Sequence, residues 1–229
     1  MALRWKSLDP RFPGEERSLE MASPLIAVDG PAASGKGTVA SALARHFGLP
    51  YLDTGLLYRA VGLQAQAAGG LDQAIAEAAA AALDRDLLDD PRTRTREAGE
   101  AASQVAAFPG VRAALLDFQR QFAAQDGGAV LDGRDIGTVI APDAPAKLFV
   151  TASPQVRAHR RWKQLTGQGE TVSLQDVLAD IARRDARDSG RSTAPLVRAS
   201  DAALLDTSEM TIEHAFAEAR RLVERALGR

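Results

Sequence analysis

Leu25-Ile26-Ala27-Val28-Asp29-Gly30-Pro31-Ala32-Ala33-Ser34-Gly35-Lys36-Gly37-Thr38 runs from an apolar tetrapeptide into a glycine-rich loop. The first four residues suit a buried parallel strand, and Val39, Leu43 and Phe47 then recur on one face of a helix. Strand, loop and helix thus follow one another directly. Gly30 to Lys36 fits G-x-x-x-x-G-K, a spacing with a physical reason: small residues let successive backbone N–H groups turn onto a polyphosphate, and the lysine adds a point charge for its terminal groups. Gly30, Pro31, Ala32, Ala33, Ser34, Gly35, Lys36, Gly37 and Thr38 are therefore the expected nucleotide-phosphate site. The alternative is a tight turn without a ligand.

The residue after the lysine is Gly37, with the hydroxyl displaced to Thr38. Signalling GTPases and most motor ATPases carry serine or threonine directly after the lysine; the G-K-G-T form resembles the nucleoside monophosphate kinases.

At 229 residues the chain suits one α/β domain with small excursions. Hydrophobic residues make up 45%, ordinary for a globular core, and no apolar run approaches the ~20 residues of a membrane span. The absence of cysteine excludes disulfides, thiolate metal sites and a cysteine nucleophile, and fits a cytoplasmic enzyme. A net charge of −2 argues against nucleic-acid binding over a broad basic surface. The basic residues are mostly arginine and cluster after residue 92, and the guanidinium fork grips phosphate bidentately.

Residues 1–22 are polar, irregular and broken by Pro10, Pro13 and Gly14, with neither the apolar core of a signal peptide nor the acid-poor composition of a transit peptide. They are expected to be a disordered leader or start-site residues, with Met21 a plausible start. Beyond them, four more strands are predicted: Pro50 to Asp53, Ala129 to Asp132, Lys147 to Val150 and Ala203 to Asp206. Helices fall between them, over Leu71 to Leu83, over Thr93 to Phe122 with a break at Phe108-Pro109-Gly110, after Ser153-Pro154, after Ser173, and after Thr211. This alternation predicts an α/β fold, a P-loop NTPase-like doubly wound parallel sheet of about five strands. The expected organisation is a single domain over 23–229 with a small insertion near 70–125 and an arginine-rich lid near 155–190.

Several residues carry chemistry by position. Arg59 lies at a strand-to-helix junction, where open α/β sheets bind ligands, and could grip a second phosphate. Asp132 ends a buried strand and could orient Mg²⁺ through its waters, with Thr38 as the other metal-facing candidate; capping the next turn is the alternative for Asp132. Arg157, Arg160 and Arg161 fall on one helical face, where like charges repel unless an anion neutralises them. That favours a lid facing phosphate over a solvated face. Arg184, Asp188 and Arg191 follow at i, i+4 and i+7, as a ligand-facing stripe or a ladder of weak salt bridges.

Together, Asp29 to Thr38, Asp53 to Arg59, Ala102 to Ala106, Asp132-Gly133-Arg134-Asp135, Arg184 to Ser189, Ala194-Pro195-Leu196 and Asp206-Thr207-Ser208 resemble the bacterial cytidylate kinases, from about Pro24 to the C-terminus. The resemblance implies transfer of the γ-phosphoryl group of ATP to CMP or dCMP with Mg²⁺. It further implies that Arg59 and Arg134 hold the CMP phosphate, with Thr54 among the CMP-binding residues. Ser103, Arg112, Asp135 and Arg191 would face cytosine, and Arg184 and Asp188 the ribose. Lys36, Arg157, Arg160 and Arg161 would be catalytic. Two departures stand out: Ala32 replaces a serine found in some members, and only Leu87 to Arg92 bridges a gap that some members fill with a small sheet. A different acceptor (UMP, AMP or shikimate) and a non-catalytic nucleotide-binding regulator remain as competing readings. A GTP switch is disfavoured, because no N-K-x-D guanine reader occurs. A monomer is the expected state.

Overall fold

Ile26, Ala27 and Val28 are fully buried in strand β1 (Leu25–Asp29), which lies at the centre of the sheet in the computed structural model. The structure describes residues 24–229; the leader expected over 1–22 lies outside the described residues. With β2 (Tyr51–Asp53), β3 (Ala129–Gly133), β4 (Ala146–Thr151) and β5 (Ala203–Asp206), β1 forms an all-parallel sheet in the order β2-β3-β1-β4-β5. The expected strands are all present. Val28 sits opposite Asp132 on one side and Leu148 on the other, so the carboxyl ends of β1 and β3 emerge side by side. Winding changes direction beside β1, the place where doubly wound sheets bind ligands.

Alternate residues of the strands feed two layers, as a strand's two-residue period requires. Ile26, Val28, Val130, Leu148 and Leu205 pack with Val39 and Leu43 of α1 (Lys36–Phe47) and with Ala219 and Val223 of α8 (Ile212–Ala226). Ala27 and Leu131 point the other way, towards Leu116 and Phe122 of α5 (Pro109–Ala123). A third cluster joins Leu57 and Val61 of α2 (Thr54–Ala67), Ala76 of α3 (Gln73–Ala81), Val105 of α4 (Arg96–Val105), and Val111 and Leu115 of α5. A fourth, smaller one joins Ala158 and Leu165 of α6 (Pro154–Gly167) to Val177 and Ile181 of α7 (Leu174–Gly190).

Local chemistry sets the boundaries. Gly48 adopts the left-handed conformation that ends α1. The helix expected from Thr93 begins instead at Arg96, because Thr95 caps it by accepting from the Ala98 N–H at 3.2 Å. Before it, Arg85–Asp89 and Pro91–Arg94 form two 3₁₀ turns, the second capped by Asp90. The chain after β3 holds an element with no signal in the periodicity: a π-helical turn over Ile136–Ile140, in which the Ile140 and Ala141 N–H groups donate five residues back, to Asp135 and Ile136.

Candidate active site

The glycine-rich loop owes its path to one close approach. Gly30 has φ 153°, and a Cβ there would lie 2.0 Å from the Val150 carbonyl oxygen of β4, so no other residue fits. Ala33 is held at φ 59°, a strained choice for a residue with a side chain. The loop then delivers Gly35, at φ 90°, to the start of α1, where no side chain caps the helix. Asp53, Asp72, Thr95, Ser153, Ser173 and Thr211 cap α2, α3, α4, α6, α7 and α8, and α5, the other helix without a side-chain cap, opens on Pro109, which has no N–H to offer. The open first-turn N–H groups of α1 and its positive dipole end therefore form a seat for an anion.

Beside this seat lies a cleft of about 280 Å³. Lys36, Gly37, Thr38, Thr54, Arg59, Ser103, Arg112, Asp132, Arg134, Asp135, Arg184, Asp188 and Arg191 all line it, drawn from α1, α2, α4, α5, the end of β3 and α7. Residues singled out in separate stretches of chain thus share one wall. Arg112 and Asp135 form a buried ion pair, and the Arg112 guanidinium lies over the Tyr58 ring, 5.6 Å from its centroid. Arg134 Nε donates to Asp188 at 3.0 Å, Arg191 approaches Asp188 at 3.9 Å, and Arg184 approaches Glu100 at 3.6 Å. The Arg59 guanidinium donates to the Thr93 carbonyl at 3.1 Å. Thr54 directs its hydroxyl inward to the Asp132 carbonyl at 2.8 Å.

Polar satisfaction is incomplete in this cleft. Ser103 Oγ, Arg184 Nε and two nitrogens of Arg191 are buried with no partner among the described residues. Burial lowers both arginine pKa values, to which Arg59 and Arg134 add for Arg184 and Arg112 adds for Arg191. Orphaned donors and crowded cations of this kind are stabilised when an anionic, acceptor-rich ligand enters.

Lys36, Asp132 and Tyr51 form the floor. Lys36 Nζ lies 3.9 Å from Asp132 Oδ2, and the Tyr51 hydroxyl donates to Asp132 Oδ1 at 2.8 Å. Burial depresses the lysine and raises the aspartate carboxyl, with neighbouring Asp53 raising the latter further. Burial likewise pushes the Tyr51 phenol up, so its hydroxyl stays a donor. Asp132 does not cap the following turn. That task falls to Asp29, whose carboxylate accepts from the Ile136 and Gly137 N–H groups at 2.8 and 2.7 Å and is pushed up to about 6 by its burial.

The three α6 arginines diverge, although helical spacing puts them on one face. Arg157 is 4% exposed, paired with Asp185 of α7 at 2.6 Å, and donates to the Ala152 and Ala32 carbonyls. Its charge is already neutralised, so the argument from repulsion does not apply to it. Arg160 donates to the Ser34 carbonyl at 3.3 Å and to Thr207 Oγ1 and O at 2.8 and 2.7 Å. Arg161 donates to Gln164 and to the Thr95 carbonyl, and is brought down to about 10 by burial and by Arg59 and Arg184 nearby. Arg160 and Arg161 line a second cavity of about 430 Å³, whose apolar wall includes Val39, Met210, Ile212 and Phe216. The two cavities share Ala33, Gly35, Thr38 and Gln164, so they meet over the glycine-rich loop. No site role was expected for Tyr51, Tyr58, Glu100, Gln164 or Thr207; Ile212 was expected on the apolar face of the terminal helix but is 67% exposed, at the mouth of the second cavity. Asp206-Thr207-Ser208 stood out only as a matching motif.

Known proteins resemble this chain over most of its length. A family model described as cytidylate kinase matches residues 26–225. A cytidylate kinase of Caulobacter vibrioides (strain NA1000 / CB15N) is 67% identical over 207 residues, covering 90% of this chain and 97% of that protein. One of Xanthobacter autotrophicus is 64% identical over 201 residues, covering 87% and 97%. In fold alone, the crystal structure of an uncharacterized protein from Eubacterium ventriosum is similar, with a TM-score of 0.53 at 15% identity, covering 88% of this chain and 98% of that one. The family model spans nearly the whole described chain and the relatives align over almost their full lengths; this chain belongs to the cytidylate kinase family.

Proposed function

We propose that the enzyme transfers the γ-phosphoryl group of ATP to CMP or dCMP, giving ADP and CDP or dCDP, as a cytoplasmic kinase of free nucleotides. The observation that carries this reading is the meeting of two cavities over one phosphate loop, one cavity partly apolar and the other rich in arginine. ATP enters the larger cavity, its adenine against Met210, Ile212 and Phe216 and its phosphates on the open end of α1. The acceptor monophosphate enters the smaller one, its phosphate between Arg59 and Arg134. Its cytosine meets Ser103, Arg112, Asp135 and Arg191, and its ribose meets Arg184 and Asp188. An acceptor phosphate oxygen then attacks the γ-phosphorus, the bond to the β-phosphate oxygen breaks, and ADP leaves. Little covalent chemistry is asked of the protein; it holds two phosphates in line, neutralises charge and excludes water.

Lys36 neutralises the transferring group from below. Arg161, crowded by Arg59 and Arg184, is the lid arginine best placed to meet it from above, whereas Arg157 serves as a strut between the loop and α7. The residues also fit Mg²⁺ arriving with the nucleotide. Thr38 presents an exposed hydroxyl at the seam of the cavities, Asp132 stands close by, and no group of three His, Cys, Asp or Glu side chains among the described residues would hold a metal alone. Mg²⁺ bound with ATP would offset charge on the phosphates there. The cluster shared by α2, α3, α4 and α5 supports an acceptor-binding insertion over about 70–125, and the α6–α7 cluster supports a lid over about 155–190.

The test is ADP production from ATP and Mg²⁺ with CMP, dCMP, UMP and AMP at equal concentration. Turnover mainly with CMP and dCMP is expected; preference for another acceptor would overturn the base pocket, and none at all would favour a nucleotide-binding regulator. On the donor side, Arg160→Ala removes a wall of the larger cavity and its ties to Ser34 and Thr207. KM for ATP is expected to rise about tenfold, the worth of one charge-assisted hydrogen bond, with KM for CMP little changed.

A further inference from the structure

Gly37 and Tyr51 together fill a place that one residue fills in other phosphate loops. Where serine or threonine follows the lysine, its hydroxyl serves the metal alongside an aspartate at the end of a neighbouring strand. Here that position is glycine. A Cβ on Gly37 would lie 3.6 Å from Asp132 Oδ2 and 3.6 Å from the Tyr51 hydroxyl, so the space for a hydroxyl at position 37 is bounded by these two groups. The Tyr51 hydroxyl comes from β2, reaches Asp132 Oδ1 at 2.8 Å, and leaves Oδ2 facing Lys36. Thr54 holds the same aspartate by its carbonyl.

We propose that Tyr51 is a positioning residue for phosphoryl transfer: its hydroxyl takes over at Asp132 the place of the missing hydroxyl at position 37, turning one carboxylate oxygen to Lys36 and the metal–nucleotide. The inference rests on the reading that Asp132 serves the nucleotide-bound metal. Without the phenolic hydroxyl the carboxylate is free to rotate, and either oxygen can collapse onto Lys36, tying up the ammonium that should meet phosphate. The Tyr51 ring packs on the main apolar cluster, so phenylalanine keeps the packing and removes only the donor.

The experiment compares wild type, Tyr51→Phe, Asp132→Asn and the double variant Tyr51→Phe/Gly37→Ser. Two readings are taken: steady-state kinetics, and binding of Mn²⁺ to the enzyme–ATP complex by electron paramagnetic resonance. Thermal melting reports the fold. Tyr51→Phe is expected to lower kcat and weaken Mn²⁺ binding by about tenfold each, the scale of one hydrogen bond to a charged group, with KM for CMP unchanged. Adding Gly37→Ser returns a hydroxyl to the same space and is expected to recover most of both losses. A merely structural tyrosine would not be rescued from position 37. Wild-type behaviour of Tyr51→Phe, or no recovery in the double variant, overturns the proposal. If Asp132→Asn leaves Mn²⁺ binding intact, the reading of Asp132 fails and the proposal with it; if Asp132→Asn loses binding while Tyr51→Phe keeps it, only the role of Tyr51 falls.

Discussion

Lys36→Met is expected to lower kcat by about 10²–10³-fold, the cost of removing one preorganised donor from a developing charge, with the fold retained. Methionine matches the length of the lysine stem and keeps its packing, but the loop then presents only neutral N–H groups to the transferring phosphoryl. The lost cation also leaves Asp132 without its 3.9 Å partner. Breaking a buried pair often costs ~3–5 kcal/mol, because a bare charge stays behind. Here the cost is smaller, since burial already raises the Asp132 carboxyl and loss of Lys36 raises it further, so the residue takes up a proton and keeps the Tyr51 hydroxyl as its partner. The sign of the pH effect follows. A carboxyl raised above its unfolded value of ~3.9 binds more protons in the folded state, so stability falls as pH rises through the raised value. The variant should melt at a higher temperature at pH 6 than at pH 8. Near-normal turnover would show that an arginine, not Lys36, neutralises the transferring group.

Asp135→Asn is expected to shrink the ratio of kcat/KM for CMP over UMP by about 10- to 100-fold, the worth of one mismatched buried polar contact. Cytosine offers an exocyclic amino donor, which a carboxylate accepts; uracil offers a carbonyl there, which a carboxylate repels. Asparagine presents both a donor and an acceptor and so loses the distinction. Asp135→Ala should be worse in a different way. Arg112 is buried, paired with Asp135 and stacked over Tyr58, and removal of the carboxylate strands its charge at a cost of ~3–5 kcal/mol. The alanine variant should therefore lose melting temperature as well as selectivity. Measuring kcat/KM for both acceptors alongside thermal melting separates the effects, and an unchanged CMP:UMP ratio in Asp135→Asn removes the base-reading role. KM for ATP should stay constant in both, because Asp135 lines only the acceptor cleft.

Much of this enzyme was legible in the amino-acid order because much of it is local. A strand five residues long, a glycine-rich loop and a helix that repeats every three to four residues are signalled within the stretch that builds them, and β1, the loop and α1 came out as read, although the approach to Val150 of β4 that requires Gly30 is a tertiary contact. Caps are local too: Ser153, Ser173 and Thr211 each accept from an N–H three residues on. Thr95 shows the limit, since Thr93 and Thr95 are both able to cap and only the preceding 3₁₀ turn decides between them. The π-helical turn after β3 was invisible for a different reason. Its hydrogen bonds form where Asp29, more than a hundred residues earlier, anchors the Ile136 and Gly137 N–H groups.

The sequence by itself determined the five strands and the phosphate loop, because hydrophobic period and turn chemistry act over a few residues, while most of the charged residues of the acceptor cleft were named by the family resemblance. Only the tertiary structure decided what each charge meets. Helical spacing places Arg157, Arg160 and Arg161 on one face, yet Arg157 is taken by Asp185, Arg160 by Thr207 and Arg161 by Thr95, partners brought in by α7, by the chain after β5 and by the segment before α4. Tyr51 finds Asp132 across 81 residues because β2 and β3 pair in register. A residue's own element fixes the direction it faces; the packing of distant elements fixes whether a carboxylate, a carbonyl or a substrate phosphate waits there.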